Sequence, residues 1–110
     1  MSQRELSPAR IQFLKDDYAR GFIGFCGLSA AQIERGRFVS SVKIEEHHRQ
    51  QDGFIHAGVM ATMADHTASY SAFTTVPEGI QILTIEFKIN FLRPAFGDEL
   101  VCESRVIREG

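Results

Sequence analysis

The sequence predicts an α+β domain in which one long, mostly apolar helix packs across a curved antiparallel β-sheet. Two observations support this class. Between His48 and Phe73, apolar and small residues recur at steps of three and four, which is the period of a helix. Before and after this stretch, in residues 37–44 and 81–92, apolar and polar residues alternate, which is typical of strands with one buried face. At 110 residues, the chain has room for a single domain.

The first predicted element, within residues 1–28, is a helix that begins at Ser7 and Pro8. Serine is a favoured N-cap, and proline is favoured at the first helical position, where an N–H has no partner in any case. Gly21 is predicted to end this helix, since glycine is common just past a helix C-terminus. Residues 22–28 are apolar but contain two glycines, and we interpret them as a packed loop.

The predicted core, residues 29–110, begins with a hairpin. Its strands are residues 32–35 and 37–44, and its turn is at Gly36. The long helix is predicted to follow, over about residues 57–74. A turn-forming Pro-Glu-Gly sequence then closes the connection to the next strand.

The last two predicted strands are residues 81–92 and 99–108, joined by a turn at residues 93–98. The second strand ends near Gly110 and leaves one edge of the sheet open. Because open edges attract further strands, we expect either additional strands beyond Gly110 or a partner chain at this edge.

The composition excludes several classes of function. A formal net charge of −2 gives no electrostatic reason to expect nucleic acid or a membrane surface as the partner. No run approaches the ~20 apolar residues of a membrane span, and the N-terminus lacks the apolar core of a signal peptide, so we expect a cytoplasmic protein. Cys26 and Cys102 match no metal-binding spacing, and we interpret them as reduced structural thiols. A chain this small is expected to gain stability by forming an oligomer.

One acid interrupts the apolar helix. Asp65 lies within a run of Ala, Met, Thr and Ser residues, where a carboxylate is costly unless it is paired, exposed or used in chemistry. The structural alternative to a functional acid is a carboxylate paired with an arginine or a histidine.

Two segments together resemble a known family. They are Gly53-x-x-His56-Ala57-Gly58, with Asp65 nine residues after the histidine, and residues 84–95, TIEFKINFLRPA. In residues 30–110 the chain is similar to the hotdog-fold acyl-CoA thioesterases of the phenylacetic-acid-degradation (PaaI-like) group. The resemblance implies a sheet that wraps the long helix, and the helix predicted from Ser7 and Pro8 is then an addition to this hotdog core.

It also implies a homodimer or homotetramer in which sheets pair edge to edge and the active site lies at the dimer interface. The family sheet has two further strands beyond the end of this chain, so we expect a shortened or C-terminally truncated member. The substrate that the resemblance implies is an acyl-CoA, hydrolysed to a free acid and coenzyme A. No cofactor is expected other than the coenzyme A of the substrate.

The resemblance also implies roles for individual residues. The N–H of Ala57, with that of Gly58, is expected to form an oxyanion hole at the start of the long helix. Asp65 is expected to act on a thioester bound at the partner's helix start, either as nucleophile or as general base. Three further residues are expected to hold the carbonyl, the water or the acid: Gln50, Ser69 and Thr84.

The remaining polar residues have weaker roles. His56 is a possible general base, but we interpret it as orienting the turn through a hydrogen bond between its ring and the backbone. His47 and His48 are interpreted as solvated loop residues, and His66 as pointing away from Asp65 around the helix. No metal site is expected, because none of these residues has a ligand spacing such as H-x-x-x-H. The coenzyme A phosphates need cations, for which the candidates are, in order, Arg93, Lys88 and Arg108.

Two other functions remain open. The first is a non-catalytic hotdog protein that binds acyl thioesters or serves as an assembly module; such a protein would not need a carboxylate aimed at the thioester. The second is a dehydratase of the same fold, for which the position of Asp65 is less suitable than for hydrolysis.

Overall fold

The computed structural model describes residues 5–109, so residues 1–4 and Gly110 of the predicted domain lie outside the described part. The helices and strands follow in the order α1 (Pro8–Tyr18), α2 (Gly21–Phe25), β1 (Ser29–Glu34), β2 (Arg37–Lys43), a short 3-10 helix (Glu46–His48), α3 (Ala57–Phe73) and β3 (Glu99–Arg105). The α+β class and the long central helix are as predicted.

Helix α1 begins as predicted, because the Ser7 side chain accepts a hydrogen bond from the Arg10 N–H and Pro8 takes the first helical position. It ends at Tyr18, before Gly21. Gly21 instead has a φ of +59°, which turns the chain into the short helix α2. The prediction of a packed loop over residues 22–28 is therefore wrong for its first half, which is helical.

The sheet has three antiparallel strands in the order β1–β2–β3. The predicted hairpin is present, although β1 begins earlier than predicted and carries an irregularity between Ala30 and Gln32. In the other ladder, Phe38 lies opposite Ser104 and Ser40 lies opposite Cys102. Alternate residues of β2 and β3 therefore present one face of the sheet to the helices.

The predicted strand at residues 81–92 is wrong. These residues, here called the arm, form an irregular segment that has no sheet partner within residues 5–109. Leu83 is 82% exposed and Ile85 is 99% exposed. Alternation of apolar and polar residues describes the two faces of a strand, but a strand also needs a neighbour to accept its backbone hydrogen bonds.

The core lies where α1, β2 and α3 meet. The Tyr18 ring of α1 stacks on the fully buried Phe38 of β2, with the ring centroids 5.1 Å apart. On α3, the Thr67 hydroxyl contacts the Tyr18 hydroxyl at 2.9 Å and the Ser40 hydroxyl at 2.8 Å. Because the buried hydroxyls satisfy one another, α3 can pack against the sheet with a face that is only partly apolar. Among residues 5–109, no helix is both long and apolar enough to cross a bilayer.

Candidate functional site

The start of α3 is capped by a side chain. His56 is the N-cap residue, and its Nδ1 accepts a hydrogen bond of 2.7 Å from the Gly58 N–H. The expected bond between the His56 ring and the backbone is thus present. It also occupies the Gly58 N–H, so Gly58 cannot serve as an oxyanion donor in this conformation. Ala57, the first helical residue, has no intrahelical acceptor for its N–H, and no other acceptor within residues 5–109 takes it.

The turn before α3 is organised by Gln50. Its side-chain Oε1 accepts hydrogen bonds from the backbone N–H groups of Asp52 and Phe54. Its backbone N–H donates to the Phe54 carbonyl at 2.8 Å. Gly53 has a φ of +89°, which this tight turn requires and which side chains disfavour. These bonds use the carbonyl of the Gln50 side chain and leave its amide Nε2 as the group that can donate to a ligand.

A cleft of about 600 Å³ opens beside the start of α3. Its lining includes Gln50, His56, Ala57 and Arg93. Arg93 is exposed and forms no salt bridge within the described residues, so its guanidinium is available to an anion. Lys88 is also exposed, but it does not line this cleft.

Asp65 lies in the middle of α3 and is half-buried. The Thr84 hydroxyl donates a hydrogen bond of 2.6 Å to Asp65 Oδ1, and the Ser69 hydroxyl lies 3.4 Å from that of Thr84. Three of the expected site residues therefore come together here. Asp65 forms no salt bridge with any residue in 5–109, so pairing with an arginine or a histidine does not explain its position.

The expected site residues form two groups, one around the start of α3 and one around its middle. We call Gln50, Ala57 and Arg93 the helix-start half-site, and Asp65, Ser69 and Thr84 the acid half-site. Asp65 follows Ala57 by eight residues, which corresponds to about 12 Å along the axis of a helix. One copy of the chain therefore cannot bring both groups to the same carbonyl.

His48 is not solvated as predicted, because it is only 3% exposed. Its Nδ1 accepts a hydrogen bond from the Glu45 N–H at 2.9 Å, and its Nε2 lies 2.7 Å from the Cys26 carbonyl, to which it can donate. The Glu45-x-x-His48 spacing of a capping box was the sequence signal for this role. His48 thus ties the loop that leads to α3 to the end of α2. His47 is exposed, as expected.

His66 points away from Asp65, as expected, and packs against α1. Its Nε2 lies 3.0 Å from the Tyr18 carbonyl, and its ring packs on the Tyr18 ring with centroids 4.5 Å apart. Burial lowers the pKa of His66 below the usual 6.5, although the bond to the Tyr18 carbonyl opposes this shift. At neutral pH the ring is therefore neutral and serves as a donor.

Sequence reasoning missed a further hydrogen bond between α1 and α3. The Tyr70 hydroxyl donates to Asp17 Oδ2 at 2.6 Å, and Arg20 forms a salt bridge of 3.0 Å with the same carboxylate. The Tyr70 bond, aided by Arg20, holds the pKa of Asp17 below its usual 3.8. Burial, together with the Asp17 carboxylate, raises the pKa of Tyr70. Tyr70 lies one turn before the end of α3, and nothing in the local sequence indicates that its hydroxyl binds Asp17 on α1.

Neither cysteine belongs to either half-site. Cys102 is half-buried beneath α3, with its thiol 3.9 Å from the Met63 carbonyl, and burial raises its pKa. Within residues 5–109, no three His, Cys, Asp or Glu side chains lie close enough to hold a metal ion.

The chain is similar in sequence to known proteins. A family model described as the thioesterase superfamily matches residues 52–110. A protein of Saccharolobus solfataricus, whose given name assigns it provisionally to the esterases, is 30% identical over 86 residues, which are 78% of this chain and 61% of that protein. Human acyl-coenzyme A thioesterase 13 is 26% identical over 94 residues, which are 84% of this chain and 66% of that protein. The chain thus spans less than two thirds of the length of the archaeal protein.

Solved structures share the fold. A thioesterase family protein from Silicibacter pomeroyi superposes with a TM-score of 0.85 at 33% identity, over 91% of this chain and 74% of that chain. The PaaI protein of the Escherichia coli phenylacetic acid degradation operon superposes with a TM-score of 0.73 over 93% of this chain and 70% of that chain. At 20% identity, the second likeness concerns the fold alone.

Proposed function

Because this chain belongs to the thioesterase superfamily and has the hotdog fold of its PaaI-like group, we propose that it hydrolyses an acyl-coenzyme A to a free acid and coenzyme A. The observation that carries the proposal is Asp65. Its carboxylate lies in an apolar helix, has no cationic partner within residues 5–109 and is held by the Thr84 hydroxyl. A carboxylate held this way is oriented but not neutralised, which suits a general base or a nucleophile.

The helix-start half-site polarises the carbonyl. The Ala57 N–H, which has no acceptor within residues 5–109, points its partial positive charge at the developing oxyanion, and the helix dipole adds to it. The Gln50 Nε2 donates to the same carbonyl or to the attacking water. Arg93, which lines the same cleft, binds a coenzyme A phosphate, and the exposed Lys88 of the arm adds positive charge.

The active site forms between two copies. The separation of about 12 Å between Ala57 and Asp65 along α3 supports this step, since each carbonyl then meets the helix start of one copy and the acid of the other. The arm has no sheet partner within residues 5–109, so its backbone and its exposed apolar side chains are available to join two copies, in a homodimer or in a homotetramer built from such dimers.

Two routes lead to the products. As a general base, Asp65 takes a proton from water while the water oxygen attacks the carbonyl, the C–S bond breaks and the proton passes to the coenzyme A thiolate. As a nucleophile, Asp65 forms an anhydride with loss of the thiolate, and water then hydrolyses the anhydride. Neither route needs a cofactor beyond the coenzyme A of the substrate. We place the reaction in the cytoplasm.

A thiol-release assay over acetyl-, butyryl-, octanoyl-, benzoyl- and phenylacetyl-coenzyme A tests the function, run beside a measurement of the assembly mass. We expect turnover of at least one ester by a dimer or a tetramer. If the purified protein binds these esters and hydrolyses none, the proposed function is wrong and the binding protein replaces it.

Mixing two inactive variants tests the shared site. Ala57→Pro removes the proposed N–H donor, and Asp65→Asn removes the acid. In a mixed dimer, the Ala57 of one copy meets the Asp65 of the other, so one of its two sites is intact. Random mixing should restore about one quarter of wild-type activity. If co-expression restores none while mixed dimers form, each site lies within one chain.

A further inference from the structure

A second cavity lies further along α3 than the helix-start cleft. It has a volume of about 660 Å³ and lies between α1, α3 and residues 78–84. This volume is in the range of small-molecule sites. Much of its wall is apolar. The apolar side chains are Phe13 and Leu14 of α1, Phe73 of α3, and Ile80, Ile82 and Leu83 within residues 78–84.

The cavity is continuous with the acid half-site. Ser69 and Thr84 line it, and Thr84 donates its hydrogen bond to Asp65. Because Thr84 contacts both Asp65 and the cavity, a group attached to a carbonyl held against Asp65 would lie next to the cavity wall that Ser69 and Thr84 form.

The polar side chains that α1 and α3 place in the wall at Asp17, Tyr70 and His66 already have protein partners. The Asp17 carboxylate accepts from Tyr70 and pairs with Arg20, and His66 contacts the Tyr18 carbonyl. These groups do not need a ligand to satisfy them, so the cavity suits an apolar occupant. Phe13 of α1 lines the cavity and is 53% exposed. The Arg10 guanidinium lies over its ring, 5.4 Å from the ring centroid.

We propose that this cavity holds the apolar acyl group of the substrate and that Phe13 of α1 limits the size of the group it accepts. The inference rests on the proposed thioesterase function, and it makes α1 a determinant of specificity. The occupant is the acyl chain of the coenzyme A ester whose carbonyl meets Asp65.

The test compares three variants on acetyl-, butyryl-, octanoyl- and phenylacetyl-coenzyme A. Phe13→Trp narrows the cavity and should lower kcat/KM for the octanoyl and phenylacetyl esters by about tenfold, with less than about twofold change for acetyl-coenzyme A. Phe13→Ala widens it and should shift preference toward the larger esters. Phe25→Trp is the matched control, because Phe25 is 83% exposed on α2 and does not line the cavity.

Each outcome decides the inference. If Phe13→Trp follows Phe25→Trp across the panel, the cavity is not the acyl pocket, while the thioesterase function stands. If the wild-type protein hydrolyses acetyl-coenzyme A but no larger ester, the inference is also overturned. If it hydrolyses no ester, both proposals fail. Should Phe13→Trp melt without cooperativity, Ile80→Trp narrows the cavity from a wall residue outside both the arm and α1 and gives the same readings.

Discussion

The two half-sites on α3 are held in different ways. The helix-start half-site presents a backbone N–H and the amide of a side chain, Gln50, whose carbonyl is bound within its own turn. The acid half-site presents only side chains, and one of them, Thr84, belongs to an arm with no sheet partner in residues 5–109. The first is organised mainly by residues 50–57, which are close in sequence, whereas the second depends on a segment that the proposed assembly would have to position. We therefore expect the acid half-site to be the more sensitive to mutation and to assembly.

Asp65→Asn should have the largest effect. It removes the base or nucleophile while keeping the size of the side chain, so kcat should fall by about 10²–10⁴-fold with little change in the thermal midpoint. Thiol release by purified variant and wild type is the measurement. Asp16→Asn, an exposed acid on α1 that accepts only from Gln12, is the control and should keep full activity. Near-wild-type turnover by Asp65→Asn would contradict the assigned role.

Ala57→Pro should come next. Proline lacks the N–H but is tolerated at the first helical position, and the preceding His56 already has the extended backbone that proline requires, with ψ at 137°. We expect kcat to fall by about 10²–10³-fold while circular dichroism stays unchanged. Ala57→Gly keeps the N–H and should lose far less activity. Equal losses in the two variants would mean that the N–H is not the donor.

Thr84→Val should have a moderate effect, because it removes the hydroxyl that orients Asp65 but leaves the acid in place. A loss of about tenfold in kcat is expected, in line with one hydrogen bond of about 1–1.5 kcal/mol. Thr84→Ser restores the hydroxyl and should restore most of the rate. If kcat does not recover in Thr84→Ser, the loss in Thr84→Val is due to altered packing of the arm and not to the missing hydroxyl.

Tyr70→Phe should have the smallest effect, and it concerns stability. Loss of its bond to Asp17 should lower the free energy of unfolding by about 1 kcal/mol at neutral pH. Because this bond holds the pKa of Asp17 below 3.8, its contribution is present above pH 3.8 and is lost as the pH falls through the lowered value. Urea titrations of wild type and variant at several pH values should therefore converge in acid. A constant gap down to the lowest pH would mean that the two groups are not coupled.

Local features were predictable from the sequence and non-local ones were not. Ser7 and Pro8 marked the start of α1, and the helical period marked both ends of α3 to within one residue, since caps and periods depend on near neighbours. The contact of His48 with the Cys26 carbonyl and the missing ladder of the arm depend on residues far along the chain, so patterns among near neighbours do not predict them.

The candidate site divides in the same way. The unusual position of Asp65 was visible from the residues alone, because an acid stands out in an apolar helix. Its contact with Thr84, nineteen residues away, was expected only through the family resemblance. The occupation of the Gly58 N–H by His56 was not anticipated as a limit on the oxyanion hole, since a ring that orients a turn and a ring that consumes a donor look alike in sequence.

The charges of the exposed arm constrain how two copies can join. In an antiparallel pairing of two arms about a two-fold axis at Phe87, Glu86 of each copy lies opposite Lys88 of the other. Moving the axis by one residue to either side would set glutamate against glutamate or lysine against lysine. The alternation of opposite charges along the arm thus favours one alignment of the two chains over its neighbours, and it discourages the arm from adding to a growing stack of misaligned copies.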